Sequence, residues 1–137
     1  MTDEAFSSHA ERVAAFLRDE GFRPTIDDDG DVAFKYEGGS YYVSIDEGDP
    51  KFLRLVFPYF WSIDDEDERR RVLTVVNEVQ RRFKVGRFYV LDTDTSAIVD
   101  GYLPDETAFR AVLLRWLGAL PEMVREFRHL MRAQSLS

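Results

Sequence analysis

The sequence predicts an α+β domain, with helices packed on an antiparallel sheet in the order α-β-β-β-α-β-β-α. Three observations lead there. Apolar residues recur at a helical period near the start, in the middle and at the end of the chain. Between those segments lie short runs that alternate apolar and polar residues. Closely spaced Gly, Asp and Ser turns separate the runs, too short for the crossovers that parallel strands need.

The first helix is expected over about residues 8–20, "SHAERVAAFLRDE". Ser8 and Glu11 have capping-box spacing, and Val13, Phe16 and Leu17 form the apolar stripe. Gly21 suits the left-handed position after the last turn, with Phe22 folding back as in a Schellman motif. Arg23–Asp27 has room for one extra short strand. "DVAFKY" then alternates Val32, Phe34 and Tyr36 against Ala33 and Lys35, and "YYVSID" places Tyr41, Val43 and Ile45 on one side. "KFLRLVFPYFW" is almost continuously apolar, as in a strand with little exposed face or a surface covered by a partner. Pro58 has no N–H, so the ladder ends there or lies at an edge.

The second helix has Ser62 and Asp65 at cap spacing, and its acidic run "DDEDE" falls at the positive end of the helix dipole. Val72, Val75, Val76, Val79 and Phe83 form its stripe, and Asp65–Arg69, Glu66–Arg70 and Asp67–Arg71 are expected as i,i+4 pairs. Two strands follow, "GRFYVLD" and "SAIVDGYL", joined around "TDTS". The last helical segment starts near Asp105, and Pro121 is expected to interrupt or kink it.

A chain of 137 residues without repeat, linker or low-complexity stretch reads as one domain, 1–137. It has no cysteine, which excludes disulfides and thiolate chemistry. The net charge of −8 argues against nucleic acid, whose affinity rests on phosphate neutralisation. Residues 1–68 carry a balance of −12 and residues 69–137 one of +4, a pattern suited to contact between the halves within a chain or across a two-fold dimer. "MTDEAFSSHAER" is not a secretory leader, and no apolar run nears the ~20 residues of a membrane span. A soluble, cytoplasmic protein without membrane contact is the expectation.

Few residues offer chemistry. "TIDDDGDVAF" suggests a calcium loop, but with Gly30 at position 6, Thr25 falls at position 1 and Tyr36 replaces the closing glutamate. A tight turn explains the carboxylates, so no metal is expected. His9 and His129 read as surface histidines. Asp92, Asp94 and Asp100 bracket the second hairpin and are explained by turn chemistry and strand alternation. No phosphate-binding, dinucleotide, zinc-protease or nucleophile-elbow motif is present, and no cofactor is implied.

Aromatic density stands out. "FPYFW" holds four aromatics in five positions. Strand alternation puts Phe57, Tyr59 and Trp61 on one face and Phe60 on the other, with Tyr42 on the neighbouring strand. Phe57, Tyr59, Trp61 and Tyr42 are therefore the candidate partner-binding residues, although an ordinary core with scattered surface aromatics fits the same pattern. Release of the chain at Pro58 is expected to leave Tyr59 nearer the core and Trp61 nearer the surface.

Taken together, "LRDEGF", "DDDGDVAFKYEGGSYYVSID", "FLRLVFPYFW", "VVNEV" and "FYVLDTDTSAIVDGYLP" resemble the YbjN-like family over nearly the whole chain. The resemblance implies the architecture of class I type III secretion chaperones, small acidic homodimers that bind unfolded segments of effector proteins. It also implies sensory or regulatory roles and brings no catalytic residues. The resulting expectation is a non-enzymatic protein-interaction module, a homodimer that holds a protein or peptide partner by β-augmentation or in apolar pockets. The alternative is a small-molecule sensor or enzyme with a pocket between the sheet and the last helix.

Overall fold

The computed structural model describes residues 7–135. Its elements run α1 (His9–Asp19), β1 (Thr25–Ile26), β2 (Val32–Tyr36), β3 (Gly39–Ser44), β4 (Phe52–Phe57), α2 (Glu66–Arg82), β5 (Arg87–Val90), β6 (Thr95–Tyr102) and α3 (Phe109–Ser135). The six strands form one antiparallel sheet in the order β1-β2-β3-β4-β6-β5, with helices packed against it. The predicted order is thus present, with β1 as the extra short strand.

Local chemistry sets the boundaries. The Glu11 N–H donates to Ser8 Oγ at 3.1 Å, which begins α1 at the predicted cap. At its other end Gly21 has φ 98°, and the N–H groups of Gly21 and Phe22 donate to the carbonyls of Arg18 and Leu17. Those two bonds are the Schellman pair. Between β2 and β3, Glu37 (φ 48°) and Gly38 (φ 82°) form the two-residue loop that hairpin twist favours. β4 stops at Phe57, immediately before Pro58.

One helical expectation is corrected and another is narrowed. α2 is capped by Asp65, whose carboxylate accepts from the Glu68 N–H at 2.8 Å, while Ser62 lies outside the helix. The reason is Ile63: it is buried, and its N–H donates to the Thr93 carbonyl, so the chain stays extended past Ser62. The ion pairs accordingly form at i,i+3, as Glu66–Arg69, Asp67–Arg70 and Glu68–Arg71. α3 continues through Pro121 without interruption. A proline inside a helix costs about 3 kcal/mol. Leu117, Leu120, Met123, Val124 and Phe127 are buried on either side of it. At roughly 1.5–3 kcal/mol per large buried apolar side chain, that stripe outweighs the lost hydrogen bond.

The described residues divide into two compact units, one of residues 7–56 with 100–114 and one of residues 57–99 with 115–135. In the first, α1 lies on β1 and β2, and Phe109 meets the rings of His9 and Phe16 edge-on at 5.8 and 5.7 Å. In the second, α2 packs on β5 and Phe127 contacts Phe60 and Phe88. Gly86 there has φ 100°, and a Cβ would meet Met123 Sδ at 2.7 Å, so only glycine fits. Among the described residues, no helix is long and apolar enough to cross a membrane.

Candidate interaction surface

Pro58 ends the β4 ladder, and the next two residues are placed by the start of β6. The Tyr59 N–H donates to Ser96 Oγ at 3.1 Å, and the Phe60 N–H donates to the Thr95 carbonyl at 2.9 Å. Both anchors are buried, and the Thr95 hydroxyl has no hydrogen-bond partner among the described residues. Between these fixed points Tyr59 adopts φ 49°. A bulky side chain in the left-handed region stores about 1–3 kcal/mol of strain. The outcome is an aromatic ring held out in solvent, 69% exposed.

Its neighbours turn inward. Phe57 and Phe60 stack at 5.7 Å, and Phe60 and Trp61 both meet the buried Phe127 ring edge-on, at 5.2 and 5.5 Å. Phe57, Phe60 and Trp61 are each half-buried. Alternation therefore fails here. Phe57, Tyr59 and Trp61 do not share a face, and Tyr59, not Trp61, is the exposed member. The strand has already ended at Phe57, and the left-handed turn at Tyr59 breaks the period of two that the sequence argument assumed. Tyr42 lies in the first unit, half-buried on β3 opposite Ala33 and Val56.

Arg128, on α3, completes the surface. Its guanidinium carbon is 5.8 Å from the Phe57 ring centre and 5.7 Å from that of Phe60, within cation–π range of both. Neither Arg128 nor Ser96 was singled out from sequence. The only available signal for Arg128 was its place next to Phe127 on the α3 stripe, and Ser96 reads as an ordinary strand residue.

The remaining polar candidates are absorbed by the fold. Asp27 Oδ1 accepts from the N–H groups of Asp29 and Asp31, each at 3.0 Å, and Gly30 takes φ 84°, which makes the acidic stretch a backbone turn. Asp100 pairs with Arg54 at 2.9 Å, and Asp94 accepts from the Thr95 N–H. The Arg69 guanidinium donates to the carbonyls of Leu91 and Asp92. Among the described residues, no group of His, Asp and Glu is arranged to hold a metal.

His129 is exposed as expected, but His9 is buried. The signal was present: His9, Val13 and Leu17 stand four apart on one helical face. Burial, aided by Arg12 and opposed by Glu47 and Glu106, pushes the His9 imidazole pKa below its ordinary value, and its Nδ1 has no hydrogen-bond partner among the described residues. Glu47, from the loop after β3, accepts from the N–H groups of His9 (2.9 Å) and Ala10 (3.1 Å). Desolvation raises its pKa, but the two backbone donors together with His9 and Arg12 outweigh that and leave it below the usual carboxylate range.

Fold and site thus define a small α+β module that presents one strained aromatic loop. The chain belongs to the YbjN family, whose pattern matches residues 9–133 and whose description is "Putative bacterial sensory transduction regulator". No curated protein and no solved structure matches it.

Proposed function

We propose that this chain is a non-enzymatic regulatory interaction module whose protein or peptide partner seats on the loop around Tyr59. The observation behind this reading is the backbone at Tyr59. A fold does not need a tyrosine at φ 49° with its ring in water, and strain retained in an exposed residue favours a functional role. Aromatic rings are also the side chains that most often anchor protein interfaces. The half-buried rings of Phe57 and Trp61 lie two residues to either side of the anchor and would form the surround of a hot spot once a partner is seated.

The module acts as a homodimer in this reading. Support comes from a second surface, a groove of about 630 Å³ between α2 and the end of α3, lined by Leu73, Leu130 and Ala133. Leu73 is 49% exposed at its lip. A two-fold contact pairs one patch with itself and needs no second partner surface.

Two measurements test these readings. Light scattering behind size exclusion should return about twice the 16.0 kDa chain mass, and Leu73→Arg should return the monomer. A monomeric wild type at high micromolar concentration refutes the dimer. Tyr59→Ala should leave the urea midpoint unchanged and abolish binding of peptides selected on the wild-type chain. Retained binding refutes the Tyr59 surface.

A further inference from the structure

The loop's chemistry also narrows the partner. Arg128 lies over two aromatic rings, yet among the described residues no carboxylate is within ion-pair reach of it. Its surroundings explain why. On α3 the positions three before and four after it are Arg125 and Arg132, so no acid falls at helical spacing, and the neighbouring charges have the same sign. Arg125 is satisfied by Glu122, whereas Arg128 is not. Other arginines do have carboxylate partners, as Arg54 with Asp100 and Arg82 with both Glu78 and Glu126 show, and what sets Arg128 apart is that it lies over two rings. On a chain of net charge −8, this stretch of α3 is locally positive.

At 5.8 and 5.7 Å from the ring centres the guanidinium is within cation–π range of both rings, and such a contact uses the face of the group and not its N–H donors, which can take a carboxylate in bidentate fashion. Tyr59 belongs to the loop between the two stacked rings, so an apolar anchor and a fixed cation occur together. From this pairing we infer that the partner is a protein segment carrying an aspartate or glutamate that binds Arg128, next to an apolar residue that packs on Tyr59. A nucleic-acid backbone fits less well, since a polyanion would be repelled by the chain as a whole. The inference rests on the interaction reading above and deepens it.

The test is selection of displayed random 12-residue peptides on the full chain, run in parallel on the wild type, Tyr59→Ala, Arg128→Gln and Arg128→Met. The methionine variant keeps aliphatic packing on the rings, so the test survives if the glutamine variant misfolds, which far-UV circular dichroism reports. Wild-type binders should be enriched in Asp or Glu beside an apolar residue and be absent from the Tyr59→Ala selection. Either Arg128 variant should lose the acidic enrichment and bind wild-type peptides about tenfold more weakly or worse. Tyr59-dependent binders with no acidic preference, or an acidic preference untouched by both Arg128 variants, overturn the inference and leave the interaction surface standing. Absence of any Tyr59-dependent binder overturns both.

Discussion

The acidic loop at Asp27–Asp31 and the aromatic loop at Phe57–Trp61 each place four side chains of one chemistry in five positions, and they are used in opposite ways. In the first unit, Asp27 folds its carboxylate onto its own backbone and Asp31 accepts from the Ile45 N–H at 2.8 Å. Positive φ there falls on Gly30, where it is free of strain. In the second unit, two of the four rings meet Phe127, a third stacks on Phe60, and the fourth is left outside on a strained backbone, near an arginine that has no carboxylate partner among the described residues. Density of a residue type is therefore a poor guide to function. What remains strained or unsatisfied after the fold has used its residues is a better one.

The largest expected effect tests whether the aromatic loop is a built platform. Phe127 is fully buried and carries Phe60, Trp61 and Phe88. Phe127→Ala should lower stability by about 3–5 kcal/mol, read as a fall in urea midpoint. A drop below about 1 kcal/mol would mean that the rings do not depend on one another, and the contrast with the self-sufficient acidic turn would fail.

A middle-sized effect separates the units by pH. His9 and Glu47 both belong to the first unit. His9 has a folded pKa below the ordinary 6.5, so its neutral burial is fully tolerated above pH 6.5 and costs stability as the pH falls towards that lower value. Glu47 has a folded pKa below the ordinary 4.5, so its contribution is present above pH 4.5 and is lost as the pH falls through the lower folded value. Both act in the same direction, and acid should open the α1 N-terminus. Glu47→Gln should cost about 1–2 kcal/mol at pH 7, as for loss of a helix cap. His9→Leu should flatten the loss of stability just below pH 6.5. Hydrogen exchange resolved by residue should show Ala10 losing protection in acid before Phe127 does. Simultaneous loss in both units would sink the distinction.

Sequence reasoning reached the strands, the Schellman end of α1 and the halt at Pro58 because each depends on neighbours within a few residues. It misplaced the cap of α2, because the Ile63–Thr93 bond spans 30 residues. It reversed Tyr59 and Trp61 for a related reason. The turn at Tyr59 is imposed by Ser96 and Thr95, which no local pattern connects to "FPYFW". Arg128 escaped notice because a surface arginine becomes informative only when its missing partner can be seen.

The smallest effect is the most discriminating, because its sign differs from that of an ordinary truncation. Tyr59 is 69% exposed, so removing its ring gives up little burial, while its φ of 49° suits glycine far better than tyrosine. Tyr59→Gly should therefore raise stability, by roughly 0.5–1 kcal/mol, and Tyr59→Ala should leave it nearly unchanged because alanine keeps the Cβ. Glu37→Gly is the matched control. Glu37 has φ 48° in a hairpin loop that demands it, so relief of strain should again stabilise by a similar amount. The two glycine variants should part company in binding. Glu37→Gly should keep the affinity for peptides selected on the wild type, and Tyr59→Gly should lose it while being the more stable protein. A fall in urea midpoint for Tyr59→Gly would show that the ring supports the fold, and the left-handed tyrosine would then be a structural residue like Phe60 and Trp61.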